Sequence, residues 1–177
     1  PNLLSPRDPA EAVTTHPVLV KAVATACFVA GAERVLIGDS CAGDHPDEKL
    51  WDTTGMREVA TETGATLVSF SACAVAARAV GNRQVPVPGW LTEVDVVISL
   101  PKLKTHALTV LTCAMKNTYG MICGGAKAMY HANFPSPRSM SSFLLDVYAA
   151  LKPDLVIVDG VIGMEGEGPA NGKARGV

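Results

Sequence analysis

Asp95-Val96-Val97-Ile98-Ser99-Leu100-Pro101-Lys102-Leu103-Lys104-Thr105-His106 joins a nearly continuous aliphatic run to an alternating basic one. Strands buried on both faces read as unbroken Val/Ile/Leu runs, because both sides of the pleat meet apolar neighbours. The first half therefore predicts a strand of a parallel sheet, ending where Pro101 enters. Lys102 and Lys104 stand on either side of Leu103, so in extended chain they point the same way, just past the strand. Beyond them, Thr105 is placed to cap a helix running to about Lys116, with His106 in its first turn and Leu108, Leu111 and Met115 on one stripe.

Three similar runs flank this one: 34–39 and 65–70 before it, and 155–159 after it. Helical periodicity fills the intervals. Val18 to Ala30 repeats Leu19, Ala22, Val23, Ala26 and Ala30 after a Thr15-His16-Pro17 start, and Gly31 stops it. His16 there reads equally as a cap or as a functional group. A short helix over 56–63 is capped by Thr54 and ended by Gly64, and 139–151 gathers Phe143, Leu144, Val147, Tyr148 and Leu151. Gly81 to Thr92, with Pro86, Pro88 and Gly89, reads as a loop or surface ribbon. The alternation predicts an α/β fold in three layers, a mostly parallel sheet with helices on both faces. Residues 1–177 are expected to form a single domain, itself part of a longer chain whose sheet continues past Val177.

With 48% hydrophobic and 18% charged residues the chain is of globular composition, and its net charge of −2 argues against a coat for polyanions. Three Tyr and two Trp offer little for base stacking, and no nucleic-acid reader motif appears, so no nucleic-acid partner is expected. No apolar run approaches the ~18 residues of a membrane span, and the first residues lack a signal region, so no membrane partner is expected. The five cysteines (27, 41, 73, 113 and 123) form no Cys-x-x-Cys pair. Their odd count suits a reducing compartment, and the expectation is a cytoplasmic protein of prokaryotic type.

The small net charge conceals an uneven distribution. From Val96 to Leu145 there is no Asp or Glu, while Lys102, Lys104, Lys116, Lys127 and Arg138 are present. A solvated basic face is the plain explanation. The alternative is an anion site, because the lysines start at a strand's carboxyl end and are followed by Lys116-Asn117 and by Cys123-Gly124-Gly125-Ala126-Lys127. Lysine ammoniums with glycine-rich backbone amides suit phosphate or carboxylate groups. On that reading Lys102, Lys104, Thr105, Lys116, Asn117, Gly124, Gly125 and Lys127 hold the ligand, and His106 and His131 move protons. Neither a P-loop nor a dinucleotide fingerprint is present.

A second set, Asp159-Gly160 through Glu165-Gly166-Glu167-Gly168-Pro169, reads as a glycine-rich loop carrying carboxylates. With Asp39 of Gly38-Asp39-Ser40 at the same sheet rim, Asp159 and Glu165 are candidate ligands for a divalent metal or candidate bases.

These blocks, Thr14-Thr15-His16-Pro17, Gly38-Asp39-Ser40, Pro101-Lys102-Leu103-Lys104-Thr105-His106, Lys116-Asn117, Lys127, His131 and Asp159-Gly160-x-x-Gly163-Met164-Glu165-Gly166-x-Gly168-Pro169, resemble the domain of unknown function 362 family in collinear order. The resemblance implies no settled reaction. Members are often described as iron–sulfur proteins because many carry a ferredoxin-like module beyond this domain, and the cysteine run of that module is missing here. The expected function is binding of a small anionic ligand, with a redox- or metal-linked reaction as its extension. The alternative is a scaffold or electron-transfer partner for an iron–sulfur module outside this chain.

Overall fold

The computed structural model describes residues 1–43, 45–70 and 72–177. Helix α1 (Pro17–Val29) starts where expected, with Pro17 in its first turn and the His16 ring nitrogen accepting the Val18 amide at 3.3 Å, so His16 is its N-cap. The buried stripe is Val20 and Ala24, not the expected Ala22 and Ala26. In a helix apolar nearly all round, periodicity does not single out the inward face, and the larger Val20 takes it. Strand β1 (Leu36–Asp39) is followed by α2 (Asp47–Thr53) and α3 (Met56–Thr63). The caps of α3 are Gly55 and Gly64, while Thr54 instead donates its hydroxyl to Leu50 within the preceding turn. Strand β2 (Thr66–Ser69) pairs parallel with β1. Leu3, Val20, Ile37, Leu50, Met56 and Leu100 are the core of this half.

The segment read as a loop or ribbon is a hairpin of β3 (Val75–Val80) and β4 (Arg83–Pro88). It is not merely superficial, since Val80, Val85 and Val87 are fully buried in a second core. Next come β5 (Ile98–Ser99), β6 (Lys102–His106), β7 (Val110–Thr112), α4 (Ala114–Asn117), α5 (Ala126–Asn133) and α6 (Pro137–Ala150). Helix α6 buries Met140, Phe143, Leu144 and Val147 against that second core. Strands β8 (Leu155–Val156), β9 (Asp159–Glu165) and β10 (Lys173–Arg175) close the described chain.

The layering differs from expectation. Among the described residues the strands fall into four small sheets of mixed sense, β1-β2, β3-β4, β5-β8 and β10-β9-β6-β7, rather than one mostly parallel sheet. Two corrections to the local reading explain the difference. The expected helix from Thr105 is an antiparallel hairpin, β6–β7, so Thr105 caps nothing and His106 ends a strand. Thr105, Thr109, Val110 and Thr112 are β-branched and fit a pleat better than a helix. The expected glycine-rich loop from Asp159 begins as strand β9, parallel to β6. Its glycines serve close approach: a Cβ on Gly168 would lie 1.9 Å from the Thr105 carbonyl oxygen.

The parallel element of the expectation survives in the β1–β2 pair and along a second line. Ile98 pairs with Leu155, Ser99 with Val156 and Lys102 with Asp159, all at one offset, and the register shifts only between Lys102 and Lys104. Between the β1 and β5 sides lies a cavity of about 720 Å³, lined mainly by apolar groups such as Val23, Leu36, Phe70 and Ile98. No helix among the described residues is long and apolar enough to cross a membrane.

Candidate functional site

Alternation along β6 puts Lys102, Lys104 and His106 on one face of the strand. Lys102 is fully buried and donates to Asp159, likewise fully buried, at 2.9 Å. Asp159 also accepts the His16 amide at 2.6 Å and the Val161 amide at 3.0 Å. The pair is therefore neutralised and well bonded within the protein, and ties β6 and β9 to the start of α1.

Lys104 is different. It is 1% exposed, and its ammonium donates to the Val13 carbonyl at 2.5 Å, with no carboxylate in ion-pair contact among the described residues. Lys116, on α4, lies 5.6 Å from the centre of the Tyr119 ring and makes no hydrogen bond or ion pair among the described residues. Lys127, in the first turn of α5, donates to the Ser40 carbonyl and also lacks an ion pair there. Among the described residues the one carboxylate near all three is Asp39, which is buried and already accepts the Leu3 amide at 2.6 Å and the Ser40 amide at 2.7 Å. Gly120 keeps room for it, since a Cβ there would lie 2.4 Å from Asp39 Oδ1.

The electrostatics follow from this crowding. Burial, then the charge of Lys116, brings Lys104 down to about 7. Burial, then Lys127, brings Lys116 down to about 8. Lys127 is lowered by burial and partly restored by Asp39. Burial, then Lys116, takes His106 down to about 4, and the same two causes lower His131. Lys116 is thus the hub whose charge reaches Lys104, His106 and His131. His106 Nδ1 accepts the Leu108 and Thr109 amides at 3.1 and 3.3 Å, so the neutral ring carries its proton on Nε2. His131 stands edge-on to Tyr119 at 5.2 Å. The Tyr119 hydroxyl donates to the Lys127 carbonyl at 2.7 Å and so ties α5 to the turn after α4.

Of the residues expected at the site, Lys104, Lys116, Lys127, His106 and His131 share one electrostatic neighbourhood, and Asp39 acts on its three lysines. Asn117 sits beside it, accepting from Asn2 at 3.2 Å and donating to Ser99 at 2.9 Å. Gly124 and Gly125 form the exposed turn before α5. Thr105 lies on the strand face opposite Lys104, its hydroxyl buried without a partner. Glu165 is exposed and ion-paired to Arg175 at 2.6 Å, at the far end of β9 from Asp159. The proposed metal set of Asp39, Asp159 and Glu165 does not assemble: among the described residues no group of three His, Cys, Asp or Glu side chains is placed to hold a metal ion. The same holds for the cysteines, which are free and do not fit an iron–sulfur cluster.

Sequence reading missed Thr112. It is 3% exposed, its hydroxyl has no partner, and it lies directly across the hairpin from Lys104. Cross-strand partners share a face, so Thr112 adds a neutral hydrogen-bonding group beside an under-bonded lysine. Only the strand register reveals it.

Against known proteins, a protein of Synechocystis sp. named as thylakoid-associated is 31% identical over 178 residues, a match covering 100% of this chain and 55% of that protein. The chain thus spans about half the length of that curated relative. No solved structure matches. The profile of one family covers residues 1–177 entire, so the chain belongs to the family described as a domain of unknown function (DUF362).

Proposed function

We propose that this domain binds the oxyanion of a small molecule between Lys104, Lys116 and Lys127, with Thr112 and His106 Nε2 as further donors. What carries the reading is that three lysines, one fully and two half-buried, gather around one carboxylate with no ion pair among them. Withdrawing unpaired ammonium groups from water is costly, and the protein's own response is to lower their proton affinity. An entering oxyanion supplies the missing counter-charge and accepts the unused N–H donors in charge-assisted hydrogen bonds. Lys104, poised near 7, and the neutral ring of His131 are the groups able to take a proton from such a ligand at neutral pH. His106, its Nδ1 already accepting, serves as a donor.

Calorimetric titration of the domain with inorganic phosphate at pH 7 tests this. Binding is expected, and Lys116→Gln is expected to weaken it more than tenfold, about 1.4 kcal/mol. Absence of binding by the unaltered protein at millimolar phosphate, or equal affinity in the variant, removes the cluster from the function.

A further inference from the structure

Lys116 belongs to two places at once. Besides standing at the hub of the cationic cluster, it lines a groove of about 270 Å³ between the β7 region and α6. The remaining lining is mostly apolar, with Leu144 buried and Leu111, Met115 and Leu145 left 48%, 40% and 54% exposed. Val110, next to the groove at the start of β7, is 78% exposed. Four large apolar side chains left open to water in one neighbourhood are more than the scattered exposure of an ordinary surface.

Building on the oxyanion site, we infer that its ligand is an amphiphile, an oxyanion head carrying an unbranched or lightly branched hydrocarbon tail. Lys116 is where the two parts meet. The head lies among Lys104, Lys116 and Lys127, and the tail follows the groove along Leu111, Met115 and Leu145 over Leu144. The volume is near the ~300 Å³ lower bound of small-molecule sites, which suits a chain of several carbons rather than a large ring system. The chemistry of the two parts is complementary: the cluster sets three lysines against one carboxylate, and beyond Lys116 the groove is mainly apolar, with the hydroxyl-bearing Thr109 and Ser141 as its other polar lining. A free inorganic anion would satisfy the lysines and leave the apolar surface wet. An amphiphile covers both.

The test compares inorganic phosphate with butyl, hexyl and octyl phosphate, titrated below their micellar concentrations. Affinity is expected to rise about twofold or more per added methylene, somewhat less than full burial of the chain would give. Leu145→Asn and, independently, Leu111→Asn are expected to abolish the gain with chain length while leaving inorganic phosphate affinity unchanged. Both positions are about half exposed, so neither change empties a core. If inorganic phosphate binds and octyl phosphate binds no tighter, the tail inference fails and the oxyanion reading stands. If the gain persists in both variants, the tail lies elsewhere and the groove is excluded. If neither phosphate nor its alkyl esters bind, the oxyanion reading fails as well.

Discussion

The four lysines of the acid-free segment divide by one criterion, whether a carboxylate lies in register. Lys102 has Asp159 directly across a parallel ladder, and the two are fully buried together. Lys104, two residues on, meets Met164 after the register shift and is left with a backbone carbonyl. A slip of the ladder thus separates an ion-paired lysine from one held only by a backbone carbonyl. The two should respond differently to substitution. Removing one partner of a buried pair leaves an uncompensated charge, so Asp159→Ala is expected to cost about 3–5 kcal/mol in chemical denaturation. Replacing both, as Lys102→Met with Asp159→Leu, should recover most of that loss. A double variant no more stable than the single one would show that the His16 and Val161 amides, rather than Lys102, depend on Asp159.

At the scale of elements, the hairpin β6–β7 decides how the site is built, and it is where the sequence misleads most. The spacing of Leu108, Leu111 and Met115 imitates a helix, but the β-branched residues between them favour a pleat, and the two signals cannot be weighed without the partner strand β9. The consequence for the site is large. A helix would have offered the amide of Thr105 to an anion, whereas the hairpin offers the side chains of Lys104 and Thr112. By contrast, α3 falls on its expected bounds and α6 within two residues of them, since Gly64 and Lys152-Pro153 are stop signals needing no tertiary context. Lys104, Lys116 and Lys127 stand out in the sequence because charge patterning is one-dimensional, whereas the strand-end reading that groups Asp39 with Asp159 and Glu165 does not foresee that Glu165 pairs with Arg175. The hairpin also carries a local cost. Val110, a β-branched residue, sits at φ +66, a conformation that L side chains with branched Cβ rarely adopt. Because its side chain is exposed, Val110→Gly forfeits little burial, and it is expected to raise stability by about 1 kcal/mol after the entropy cost of glycine. A fall in the denaturation midpoint instead would mean that the Val110 side chain is packed against something that stabilises the hairpin.

Over the whole molecule, the near-neutral balance of charge conceals a buried cationic centre that works against the fold at neutral pH. Lys104 at about 7 and Lys116 at about 8 both lie below their ordinary value of 10.5. Between those values the unfolded chain holds more protons than the folded one, so stability rises as pH rises. The penalty is complete below pH 7, begins to lift as the pH passes the folded-state values, and is gone only above the ordinary value of 10.5. The thiol of Cys123, pushed up to about 12 from 9.0 mainly by burial, has the opposite sign above pH 9, so the window for observation is pH 7 to 9. The thermal midpoint is expected to climb across that window in phosphate-free buffer. Saturating phosphate should raise the midpoint most at pH 7, because the bound anion restores the proton affinity of both lysines, and so should flatten the climb. Lys104→Met removes the more strongly perturbed of the two groups and should make the slope shallower, the lowered Lys116 and Lys127 keeping part of it. A midpoint that falls or stays level between pH 7 and 9 without phosphate would mean that water or a carboxylate already compensates the cluster. The excess of lysine over carboxylate in the acid-free segment would then be a solvated face, and both the oxyanion site and its apolar extension would lose their physical basis.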